Sequence, residues 1–182
     1  MMGRTVGHFQ IIPRNKRVIE AERKLRHWSK LFRRALANGD QSRAEQISDS
    51  AWKALLTLFE GLRNQRDHGY LNRSDLQQPV GWIIASASSA EQSLAYRVRK
   101  VDRRHSEYSP LSLEEALNKL AHYDEDLSTY RVDGRKAHYL VLCGKRQSRA
   151  GTQNWIAEIL VSRLCREVRV AARAIRQSPR RP

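Results

Sequence analysis

The side chains best suited to chemistry in this chain are arginines set at helical spacing near its end. In Arg163-Leu-Cys-Arg-Glu-Val-Arg-Val-Ala-Ala-Arg-Ala-Ile-Arg176, winding at about 100° per residue puts Leu164, Val168, Ala171, Ala172 and Ile175 on one face. Arg163, Arg166, Arg169, Arg173 and Arg176 fall on the other. Surface helices usually mix acids with bases, because opposite charges three or four residues apart stabilise them; here Glu167 is the only acid in the segment. Like charge gathered on one face costs stability unless an anion meets it. Guanidinium groups bind phosphate oxygens, or guanine O6 and N7, in bidentate fashion, so double-stranded DNA is the expected partner. Lys145, Arg146 and Arg149 form a second basic cluster, expected to hold phosphate nearby. An acidic protein surface, a structured RNA or plain solvation would also suit such a face.

Charge over the whole chain points the same way. The 182 residues carry 34 Lys and Arg against 19 Asp and Glu, a net charge of +15. A surplus of this kind favours a polyanion, since each neutralised phosphate releases condensed counterions. The surplus is uneven: residues 1–106 carry 20 basic and 10 acidic side chains, residues 107–126 carry 1 and 6, and residues 127–182 carry 13 and 3. An acidic middle argues against indiscriminate coating of DNA. The two cysteines, Cys143 and Cys165, make no disulfide scaffold and lack metal-ligand spacing, which suits a reducing compartment; a cytoplasmic protein is expected. No apolar run approaches the roughly 20 residues needed to cross a bilayer, so no membrane partner is expected.

Catalytic constellations are missing from the sequence. There is no His-Glu-x-x-His, Gly-x-Ser-x-Gly or Cys-x-x-Cys, and Gly144-Lys145 lacks the rest of a phosphate-binding P-loop. No enzymatic activity, metal or cofactor is expected. Trp28, Trp52, Trp82 and Trp155 each lie on or beside an apolar stripe and are assigned to the core rather than to base stacking.

The elements that would position these residues read as helices, giving an all-α fold: an N-terminal helical hairpin or bundle plus a C-terminal helix-turn-helix region. Val18, Ala21, Leu25, Trp28, Leu31, Phe32 and Leu36 predict a helix over 14–37, stopped by Asn38-Gly39. Asp40 or Ser42 caps a second helix bearing Ala44, Ile47, Ala51, Leu55, Leu58 and Leu62. Residues 64–78 read as a loop, and Pro79 opens a helix through Trp82, Ile83, Ala87, Ala90, Leu94 and Val98. Ser112-Leu-Glu-Glu115 is a capping box before an acidic helix. Further helices are expected over 135–142 and 152–162, with a basic, flexible stretch over 144–151 between them. The implied division is a flexible N-terminus (1–13), a helical partner-binding region (14–105), a linker (106–111), a DNA-binding region (112–176) and a disordered tail (177–182).

Three segments occur in the order found in extracytoplasmic-function sigma factors: Ser112-Leu-Glu-Glu-Ala-Leu117, Gly134-Arg-Lys-Ala-His-Tyr-Leu-Val-Leu142 and Ile156-Ala-Glu-Ile-Leu-Val-Ser162. The second half thus resembles a sigma-type (region 4-like) helix-turn-helix. With no promoter-melting half to match, the whole chain resembles phage-type late-gene antiterminators of the Q class. That resemblance implies a transcription regulator that binds DNA beside a promoter and works on bacterial RNA polymerase, with or without a sigma factor, to pass terminators. Sigma-like initiation is the alternative.

Overall fold

The computed structural model describes residues 15–148 and 151–178. Its N-terminal part is the expected hairpin. Helix α1, Lys16–Ala37, buries Val18, Ala21, Leu25 and Phe32, and α2, Gln41–Asp67, buries all six apolar positions of its predicted stripe. Gly39, at φ +73°, makes the turn that only glycine adopts without strain, and the Asp40 carboxylate accepts from the Arg43 amide to cap α2.

Beyond the hairpin the chain is not all-α. Five strands form one antiparallel sheet. Pro79–Ala87, expected to open a helix, is β1; His138–Ser148, expected to be helical as far as Leu142, is β4; Gly151–Leu160, expected as the first helix of a helix-turn-helix, is β5. The remaining strands are β2, Tyr108–Ser112, which starts in the expected linker and ends one residue past it, and β3, Tyr123–Val132; the order across the sheet is β2-β1-β5-β4-β3. Composition explains the correction. These segments hold Val80-Gly-Trp-Ile-Ile84, Tyr139-Leu-Val-Leu142 and Trp155-Ile-Ala-Glu-Ile159, in which β-branched and aromatic residues fit a pleated sheet better than a helix.

Both faces of the sheet are covered, so its strands read as continuous apolar runs rather than as alternation. On one face Trp155, Ala157, Ile159, Leu142 and Ile83 pack with α1, α2 and two further helices, α4 (Leu113–Leu120) and α5 (Val161–Gln177). Residues from both sides of the expected linker share this core. On the other face Ile84, Ile156, Val141 and Cys143 pack with Ala95 of α3, Ser89–Val98. Gln92 fastens α3 there, donating from Nε2 to the Gly144 and Trp155 carbonyls at 2.8 and 3.0 Å.

The capping boxes show where local sequence and structure agree. Ser112 and Glu115 open α4 as expected, and Ser88 and Glu91 open α3 in the same way nine residues later than the helix predicted from Pro79. Gly144, placed in a flexible stretch by its sequence, lies in β4 against the Trp155 ring and the His122 carbonyl, with no room for a Cβ. The N-terminal residues 1–13, Arg149 and residues 179–182 lie outside the described residues.

Candidate nucleic-acid interface

Helix α5 has the two faces its sequence dictates. Leu164, Val168, Ala171, Ala172 and Ile175 are buried, and Arg166, Arg169, Arg173 and Arg176 are exposed. It follows β5 directly, with no helix before it, and lies antiparallel to α1. Asn15 Nδ2 donates to the Ala172 carbonyl at 2.9 Å, while Glu22, further along α1, meets Arg169, earlier in α5, at 3.6 Å. The helix is therefore embedded along its length and shows its arginines on the surface of the layer.

The four exposed arginines are not equivalent. Arg169 shares the buried Glu22 carboxylate with Arg26, each 3.6 Å away, and Arg166 donates from Nε to Glu167 Oε1 at 2.6 Å. Arg173 and Arg176 have no carboxylate within 4.0 Å among the described residues. The fifth member of the predicted stripe, Arg163, is half-buried, and its guanidinium lies 5.1 Å from the centre of the Trp82 ring.

Lys145 and Arg146 stand elsewhere. They pair with Asn154 and Gln153 near the start of β5, whereas α5 begins at its end. Six residues of strand, about 20 Å at 3.3 Å per residue, separate Asn154 from Leu160. The structure thus brings Arg166, Arg169, Arg173 and Arg176 into one row and does not bring Lys145 or Arg146 to its start. Arg149 lies outside the described residues.

A second arginine cluster, not foreseen from the sequence, occupies the sheet face away from α5's core side. Glu158 of β5 is 0% exposed and accepts on both oxygens. Arg131 of β3 donates to Oε1 from Nε at 2.8 Å and from Nη2 at 2.6 Å; Arg103 donates to Oε2 at 2.9 Å, and the Tyr108 hydroxyl does so at 3.3 Å. Burial, the largest single influence, lowers the Arg103 pKa, but the Glu158 charge and the hydrogen bonds to Tyr139 and Glu158 together raise it. Burial, then the same carboxylate, pushes the Tyr108 phenol upward.

Rings complete this cluster. The Arg131 guanidinium lies 3.9 Å from the Tyr139 ring centre, and that of Arg103 lies 5.6 Å from both the Tyr139 and Trp82 centres. Trp82 stacks on Tyr108 at 6.1 Å and 9°. Trp155 is buried, and Trp28 and Trp52 pack against the main core, as expected of all four tryptophans; Trp82 is flanked by two guanidiniums.

Comparison with known proteins supplies no relative: no family description matches the chain, and neither does any curated protein or solved structure. Among the described residues no three His, Cys, Asp or Glu side chains gather as a metal site, and no helix is long and apolar enough to cross a membrane. One Ser–His contact, Ser29 Oγ to His138 Nδ1 at 2.9 Å, is closed off by burial of both residues. Burial, and then the nearby Arg33 charge, lowers the His138 pKa to about 4.

Proposed function

We propose that this protein binds double-stranded DNA by gripping backbone phosphates with the outer face of α5. One observation carries the reading: four arginines are exposed at successive turns of a helix whose opposite face is buried, and two of them have no carboxylate partner among the described residues. From Arg166 to Arg176 the row runs about 15 Å at 1.5 Å per residue. A duplex presents one negative charge per roughly 1.7 Å of its axis, so such a row meets several phosphates at once. Because α5 is embedded beside α1, phosphate contact and not insertion of a free-standing helix into a groove is the mode proposed.

The narrower proposal, a Q-like antiterminator working on RNA polymerase, keeps one element of its resemblance as a helix, the acidic capped α4 that starts after Ser112. Transcription reconstituted with core polymerase, with and without a primary sigma factor, separates terminator read-through from sigma-like initiation.

DNA binding is tested by titrating a labelled duplex over a range of salt. Affinity is expected to fall with salt, and Arg173→Gln with Arg176→Gln is expected to flatten the salt slope by about 1 for each phosphate left without its arginine, equally on all sequences. Absence of binding at low salt contradicts the proposal. Stronger competition by a structured RNA than by duplex DNA would move the partner to RNA.

A further inference from the structure

Two arginines from distant parts of the chain meet at one indole. Arg103 arrives from the loop after α3 and Arg163 from the first turn of α5, and their guanidiniums lie 5.6 and 5.1 Å from the Trp82 ring centre. Arg103 is held in place by Glu158, which is fully buried and gives its other oxygen to Arg131. A buried carboxylate of this kind contributes little net stability compared with an apolar residue, but it does fix the direction of the guanidiniums around it. Arg163 has no carboxylate within 4.0 Å among the described residues. Arg103 and Arg131 therefore share the Glu158 carboxylate, with Asp133 near enough for both guanidiniums to favour its charge, while Arg163 rests at the Trp82 ring without a carboxylate partner among the described residues.

We propose that Arg103 and Arg163 form a clamp for a single phosphate group beside the Trp82 ring. A phosphate ester suits the pair because several oxygens are needed to accept from donors that approach from two directions, and guanidinium forks match that geometry. The Arg103 side chain is 49% exposed, so an anion can approach it even though Glu158 and Tyr139 already engage it. The group can belong to a free phosphate or nucleotide, or to a nucleic-acid backbone. In the backbone form the clamp rests on the DNA reading above: Arg166, the first of the exposed row, follows Arg163 by one turn, so the clamp marks where the strand enters that row.

The test follows the Trp82 indole N–H resonance in the full chain, assigned with Trp82→Phe, during titration with inorganic phosphate and separately with a short duplex. Inorganic phosphate is expected to shift the Trp82 signal saturably, and Arg163→Gln, a change that breaks no ion pair, is expected to weaken that binding about tenfold or more. Arg43→Gln, at the exposed start of α2, is expected to leave the phosphate titration unchanged. A shift that never saturates, or one that Arg163→Gln leaves intact, overturns the clamp. If duplex binds without moving the Trp82 signal and Arg163→Gln does not weaken it, the backbone form is overturned while the DNA reading stands. If phosphate saturates the clamp but no duplex binds, the DNA reading fails and the clamp stands as a site for a free phosphate or nucleotide.

Discussion

The outer row of α5 and the Glu158 cluster use the same side chain for opposite purposes. Arg173 and Arg176 stand in water without a carboxylate partner among the described residues, whereas Arg131 is 15% exposed, lies on a tyrosine ring and makes two hydrogen bonds to a wholly buried acid. The first pair is placed to meet an outside anion at little cost to the fold. The second is locked by an internal anion and cannot lose it without stranding charge. Arg103 and Arg163 fall between these extremes, one tethered to Glu158 and the other resting on Trp82. An arginine's role here is set by how fully its charge is already answered inside the protein, more than by its place in a stripe.

Breaking the buried side of this contrast should have the largest effect. Glu158→Ala leaves Arg131 and Arg103 without the buried acid they share and is expected to cost about 3–5 kcal/mol in chemical denaturation. Arg173→Ala should stay within about 0.5 kcal/mol of the parent protein in the same experiment. Equal losses for the two would erase the distinction.

A buried titratable group sharpens it further. The folded His138 has a pKa near 4, below the ordinary 6.5, because burial and then Arg33 disfavour the charged ring. Between these values the unfolded chain binds the proton that the folded chain refuses. Stability is therefore intact above about pH 6.5 and falls as pH drops towards 4, by up to about 3 kcal/mol. Denaturant midpoints measured across that window for the parent protein and His138→Gln should diverge with this sign, and parallel curves would show that the ring is not held neutral. The exposed arginines of α5 should not contribute to that divergence.

The smallest effect calibrates the rest. Removing the α4 cap with Ser112→Ala leaves the Glu115 amide without its side-chain acceptor and is expected to cost about 1 kcal/mol, read as a modest drop in denaturant midpoint. A loss as large as that of Glu158→Ala would place the strength of this region in its local turns and not in its buried charge.

Legibility in the sequence follows the same division. Helices α1, α2, α4 and α5 are amphipathic at period 3.6, and the periodicity selects most of their buried apolar residues, though Glu22, Ser29 and Glu167 are buried as well and Trp28, Leu31 and Leu36 only half-buried. The strands were hidden because each side of the sheet is covered, which removes the alternation that would have marked them. Trp155-Ile-Ala-Glu-Ile159 wound as a helix puts Glu158 on a solvated side; paired as β5 between β1 and β4, it sits opposite Trp82 and Val141 on a covered face. A lone acid within an apolar run rich in isoleucine and tryptophan was the available signal for a buried carboxylate. Its partners, Arg131 and Arg103, arrive through strand pairing and a loop, and no local pattern announces them.

DNA binding by α5 is tested most directly by the salt dependence of duplex binding for the parent protein and for the Arg166→Gln, Arg173→Gln, Arg176→Gln triple variant, with equal folding of the two confirmed by thermal unfolding. A steep fall of affinity with salt is expected for the parent protein and, in the variant, a slope shallower by about 1 for each phosphate that no longer meets a guanidinium. Identical slopes and affinities for the two proteins would contradict the claim that the outer face of α5 holds DNA.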